Sequence, residues 1–199
     1  MQDAVKSSAP VKTKGRWQLM VVILVPVLSL GLAWFMYFYG QFVPDGRTNK
    51  GELMLPPASF GSLGLQNGAS EFTLENLEGR WGILVFGSPA CDSKGCQEAL
   101  YQTRQVHIGL GREADRVVRA YISTEQLNSL ELQKEHPEVF WLKGDKAGVT
   151  GALKTNSWPE NRYFIVDPLG NIMMGYQADQ SGGDLLKDLQ RLLKASKIG

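Results

Sequence analysis

The chain has 199 residues, 43% apolar and 21% charged, with a formal net charge of +1. That length suits one domain and an appendage. With the charge near balance, nothing in the composition suggests nucleic-acid binding.

Residues 1–16 carry Lys6, Lys12, Lys14 and Arg16 against Asp3. Residues 19–39 (LMVVILVPVLSLGLAWFMYFY) then run without a charge. A helix of that length spans about 30 Å, the hydrocarbon thickness of a bilayer. Pro26 and Gly31 are tolerated in such a helix, and Trp34, Tyr37 and Tyr39 collect at its far end, where amphipathic rings favour the headgroup level. A cleaved signal peptide has an apolar core of about 7–15 residues ending at small side chains; this one is longer and ends in aromatics. The expectation is an uncleaved transmembrane helix over residues 17–40, with residues 1–16 cytoplasmic by the positive-inside rule. The rest of the chain then lies outside the cytoplasm. In a bacterium that is a single-pass inner-membrane protein with a periplasmic C-terminal domain; the alternative, a mitochondrial intermembrane-space protein, fits less well with so few arginines at the start.

Residues 41–59 are polar and bear Pro and Gly, which predicts a tether stiffened by Pro56 and Pro57 and leading to a domain over 60–199. In that domain residues 71–74 form a short strand candidate and Gly79-Arg80 a turn. Residues 81–86 (WGILVF) read as a strand buried on both faces. Residues 97–110 read as a helix closed by Gly111, and 117–122 (VVRAYI) as a second buried strand. A helix is predicted over 124–135, with Leu127, Leu130 and Leu132 inward and Pro137 stopping it. Residues 162–166 (RYFIV), the turn Asp167-Pro168-Leu169-Gly170 and residues 171–176 form a hairpin. Residues 184–196 form an amphipathic helix with Leu185, Leu186, Leu189, Leu192 and Leu193 on one side. Strands joined by helices imply a parallel core with right-handed crossovers, and the terminal hairpin adds antiparallel neighbours. The fold class is therefore α/β, a mixed sheet flanked by helices.

Both cysteines of the chain lie in VFGSPACDSKGC, just after the first buried strand and where a helix begins. Beyond a membrane they face an oxidising compartment, where disulfides persist. N–H groups at a helix N-terminus favour the thiolate, the form that attacks disulfides and binds soft metals. Lys94 adds to this effect and Asp92 opposes it. With C-x4-C spacing, two helical cysteines would point about 140° apart, so a disulfide needs Cys91 in the loop, a bend that Gly95 makes easier. Closing so short a loop stabilises by only about 2 kcal/mol. Three readings stay open: a structural bridge, a working dithiol, or a metal pair. The end of a parallel strand is a favoured place for a site in open α/β sheets. His107 reads as a helix-surface residue and His136 as solvated, and neither has metal-ligand spacing to the cysteines.

The soluble part resembles the thioredoxin fold, and more narrowly the Sco/SenC type of membrane-anchored cytochrome c oxidase assembly protein. The similarity rests on the N-terminal anchor, FTLENLEGRWGILVFGSPAC, VVRAYIS and RYFIVDPLGNIMMGY. Phe86, Gly87 and Cys91 match that family's FG-x3-C strand end. The family has C-x3-C, which puts its second thiol at Gly95; here it is Cys96. It also has a copper-ligand histidine before the last hairpin, where this chain has Trp158, Pro159, Glu160, Asn161 and Arg162. The resemblance implies thiol-disulfide exchange or copper handling at an oxidase copper site. Cys91 would be the exposed attacking thiolate, Cys96 the shielded resolving thiol, and the pair a Cu(I) site. The implied partner is a respiratory oxidase subunit or another copper or thiol protein. The C-x4-C spacing, Ser88 and Arg162 also resemble peroxiredoxins of the bacterioferritin-comigratory type, although their proline is Leu84 here. The remaining alternative is a non-catalytic accessory or scaffold protein with a structural disulfide.

Overall fold

A computed structural model describes residues 14–39, 48–127 and 129–196. The chain divides into two units, the first ending at Arg47 and the second beginning at Thr48. The first contains helix α1 (Lys14–Tyr39), of which Gly15–Tyr39 is long and apolar enough to cross a membrane. Its described side chains are exposed apart from half-buried Met36, and their packing is along the helix itself, as where Phe35 stacks on Tyr39; this is expected of a helix that is apolar all round.

The second unit runs β1 (Glu52–Ser59), β2 (Leu65–Asn67), β3 (Ser70–Glu71), β4 (Trp81–Phe86), α2 (Lys94–Gly109), β5 (Val117–Ser123) and α3 (Leu130–Glu135). It continues with β6 (Val139–Gly144), α4 (Lys146–Leu153), β7 (Tyr163–Val166), β8 (Asn171–Tyr176) and α5 (Gly182–Ala195). The strands form one sheet in the order β1-β8-β7-β4-β5-β6-β2-β3. The pairs β4–β5 and β5–β6 are parallel; β7 runs antiparallel to β4 and to β8. This is the mixed α/β sheet that the sequence predicts.

Alternation along β4 feeds two cores. Trp81, Ile83 and Val85 face α2 and α5, where Leu100, Leu185, Leu189 and Leu193 are buried. Leu84 and Phe86 face the other way, toward α4 (Val149, Leu153) and a 3-10 turn at Phe60–Leu63. The cysteines belong to the first of these layers.

Several predicted elements shift. Glu52–Ser59, predicted as tether, is an edge strand pairing antiparallel with β8. Its register breaks between Leu53 and Ala58, around Pro56 and Pro57. Proline lacks the N–H that a ladder needs, so such a strand is tolerated only at an edge. Of the strand predicted over 71–74, only Glu71 pairs, in β3, and Leu74–Leu77 is a 3-10 turn. The helix predicted over 124–135 is confined to α3, because Ser129 caps it by accepting the Leu132 N–H. Leu127 is buried and Leu132 half-buried as predicted, but Leu130 is exposed. The sequence reading also omits β6 and α4, which lie between α3 and the hairpin.

Candidate dithiol–disulfide site

The loop from β4 to α2 holds both cysteines, and they are joined as a disulfide. Helix α2 starts at Lys94, three residues earlier than predicted, because Ser93 is its N-cap and accepts the Cys96 N–H at 3.2 Å. Cys96 therefore lies in the first helical turn. Cys91 stays in the loop with φ 47°, in the left-handed region that disfavours a side chain. The bend thus falls at Cys91 itself, while Gly95 is helical. The Cys91 N–H is held by Ser88, whose carbonyl and hydroxyl oxygens lie at 3.3 and 3.2 Å.

Tyr121 of β5 reaches the same loop from below. Its hydroxyl donates to the Ser88 carbonyl at 2.6 Å and lies 3.0 Å from Cys96 Sγ. A β-carbon at Gly87 would collide with the Tyr121 ring and hydroxyl, so glycine there makes room for the phenol. Burial, followed by the charges of Glu160 and Asp92, raises the Tyr121 pKa far above its ordinary value. The loop ahead of β7 closes the other side. There Trp158 Nε1 donates to the Gly87 carbonyl at 3.0 Å, and the Asn161 N–H donates to Phe86 at 2.7 Å.

Cys91, expected to be exposed, is 1% exposed, and Cys96 is 0%. In the disulfide form the two sulfurs are therefore equally shielded. Cys91 nevertheless lines a cleft of about 690 Å³ between α2 and α3, together with Asp92, Lys94, Glu131, Leu132 and His136. His136, expected to be solvated, is buried, and its Nδ1 has no hydrogen-bond partner among the described residues. Burial first and Arg119 second lower its pKa, so it stays neutral near pH 7. His107, expected on the helix surface, is half-buried, with Nε2 2.9 Å from the Val117 carbonyl and 3.1 Å from that of Ala114. Arg162 does not join the cysteines. It reaches the Tyr176 carbonyl and Glu52 and lies over the Phe164 ring.

The residues that sequence reasoning missed are Tyr121, Ser88 as a loop anchor, and buried Arg119. Arg119 and Tyr121 alternate in VVRAYIS and so share a face. That signal shows where they point, but not what they meet.

The donor set does not fit the copper site of the resembling family. The third-ligand position holds no histidine, and among the described residues no group of three or more His, Cys, Asp or Glu side chains is gathered to hold a metal.

No curated protein matches the sequence. Among solved structures, the chain is similar to the crystal structure of yeast Sco1, with a TM-score of 0.53 and 19% identity, covering 68% of this chain and 99% of that one. The solution structure of apo Sco1 from Thermus thermophilus gives 0.53 and 16%, covering 76% and 98%. A putative electron transfer protein from Aquifex aeolicus gives 0.52 and 18%, covering 71% and 95%. At such identities the likeness shows the fold alone, which is thioredoxin-like. The model of the transmembrane-like, thioredoxin-like C-terminal domain family matches residues 81–196, and with that match over more than half its length the chain belongs to this family.

Proposed function

We propose that this is a membrane-anchored thiol-disulfide exchange protein whose domain faces the periplasm and keeps thiols of a respiratory oxidase copper site reduced. The observation that carries the reading is the Cys91–Cys96 bridge at the junction of β4 and α2, beside an open cleft. In the reduced chain the Cys91 thiolate attacks a client disulfide. A mixed disulfide forms and one client sulfur leaves as thiolate. Cys96 then attacks the Cys91 sulfur, releasing the second client thiolate and closing the Cys91–Cys96 bridge. The client gains two electrons and this chain loses two, which an extracytoplasmic dithiol donor restores. Because the donor set lacks a third ligand, no step runs through copper. The oxidase as client is supported by the fold's likeness to the Sco structures.

The test has two parts. A working couple has a reduction potential of about −120 to −270 mV, whereas a structural bridge lies below about −300 mV. Cys96→Ser is expected to trap mixed disulfides through Cys91, with oxidase subunits among the partners identified by mass spectrometry. A potential below about −300 mV together with no trapping favours a structural bridge in an accessory protein.

A further inference from the structure

The contact between Tyr121 and Cys96 is chemically incomplete in the disulfide. The phenol proton is committed to the Ser88 carbonyl at 2.6 Å, and a disulfide sulfur carries no proton. The Tyr121 oxygen and Cys96 Sγ therefore face each other at 3.0 Å with lone pairs on both sides. Reduction breaks the S–S bond and gives Cys96 an S–H, the proton that this contact lacks. The phenol has little freedom to move away. It is fully buried, its ring packs against Trp141 at 5.3 Å, and Gly87 leaves a fitted space for it.

We infer that Tyr121 is a positioning residue for the couple, its oxygen accepting the Cys96 S–H in the reduced protein. The inference rests on the redox reading of the pair given above. A hydrogen bond to the neutral form of a group disfavours its ionisation. Cys96 is thereby kept as a thiol, and Cys91, which has no such acceptor among the described residues, is the sulfur that ionises and attacks. The two thiols acquire different roles although their disulfide is evenly buried. The same bond exists only in the dithiol form, so it makes the bridge easier to reduce.

The experiment uses the full chain in detergent micelles, equilibrated with glutathione buffers as wild type and as Tyr121→Phe. Loss of the bond is expected to favour the disulfide about five- to tenfold, and a tenfold change is a potential lower by about 30 mV. An equilibrium constant unchanged within about twofold overturns the inference. A wild-type potential below about −300 mV overturns the exchange function instead, whatever Tyr121 does. The pH dependence of Cys96 alkylation in Cys91→Ser, with and without Tyr121→Phe, gives the sign directly. Its midpoint should fall when the phenol is removed. An unchanged midpoint overturns the inference, and so does a higher one, which would make the phenol a donor to the thiolate. Should Tyr121→Phe fail to fold, the infrared S–H stretch of Cys91→Ser decides: a band lowered relative to a free thiol supports the bond, and an unshifted band overturns it.

Discussion

Two buried basic side chains, Arg119 and His136, lie on the side of the sheet that α2 covers. Arg119 projects from β5 into the layer under α2, where its guanidinium donates to the Leu100 carbonyl at 2.9 Å and to Thr103 Oγ1 at 3.0 Å. Burial, and then the like charge of Arg104, lowers its pKa to about 10, so it remains charged at neutral pH. His136 is disfavoured as a cation by burial and by Arg119 and Arg104, and only Glu135 pulls the other way. Its folded pKa therefore lies below the unfolded value of about 6.5. In that window the unfolded chain binds the proton first, so stability is full above about pH 6.5 and falls as pH drops toward the folded pKa. Thermal unfolding measured from pH 7 to 5 should show a steeper loss for the wild type than for His136→Leu. Parallel curves would show that His136 does not titrate differently on folding.

β1 shows how an element can be recruited by the edge it covers. The carboxylate of Asp188, buried in α5, accepts the backbone N–H groups of Lys50 at 2.6 Å and Gly51 at 2.9 Å and the Tyr176 hydroxyl at 3.0 Å. Gly51 passes so close to the Tyr176 ring that a side chain would not fit. This clamp aims the chain into β1, and the free edge of β8 then pairs with it. Asp188→Ala removes the acceptor of three donors; the Tyr176 hydroxyl still has Met174 Sδ at 3.3 Å, and each donor left buried and unpaired costs about 1–3 kcal/mol. Because Lys50 can turn to water, the expected total is about 2–4 kcal/mol in urea unfolding. Amide exchange in β1 should also accelerate before that of β4. A loss below about 0.5 kcal/mol, within the range of an ordinary surface substitution, would mean that β1 is held by its ladder alone.

At the scale of the molecule, one long apolar helix precedes a thioredoxin-like domain. If basic residues 6–16 hold the N-terminus in the cytoplasm, a reporter active only outside it and fused after Gly199 should work. Activity of a cytoplasm-only reporter at that point would remove the oxidising compartment on which the exchange function depends. Much of this plan was legible in the sequence, and for local reasons. An uncharged run of 21 residues carries its meaning whatever it packs against. The continuous apolar runs of β4 and β5 mark strands buried on both faces, and the five leucines of α5 repeat at the helical period. The pairing of Cys91 with Cys96 was open in the sequence, though its geometric condition, Cys91 outside the helix, could be stated beforehand. Tertiary structure alone decided the rest. The Pro-Pro stretch became a strand because β8 offered an edge, and β6 became one because β5 lay beside it, although VFWLKG has no clean alternation of its own. His136 was buried by the packing of α3 against the layer under α2, which no spacing to the cysteines records. The phenol of Tyr121 meets Cys96, 25 residues away in the chain, only because β5 pairs with β4 in a register that sets Tyr121 opposite Val85, at the strand end from which the cysteine loop departs. Periodicity determines which face a side chain takes, and register and crossover determine what waits there.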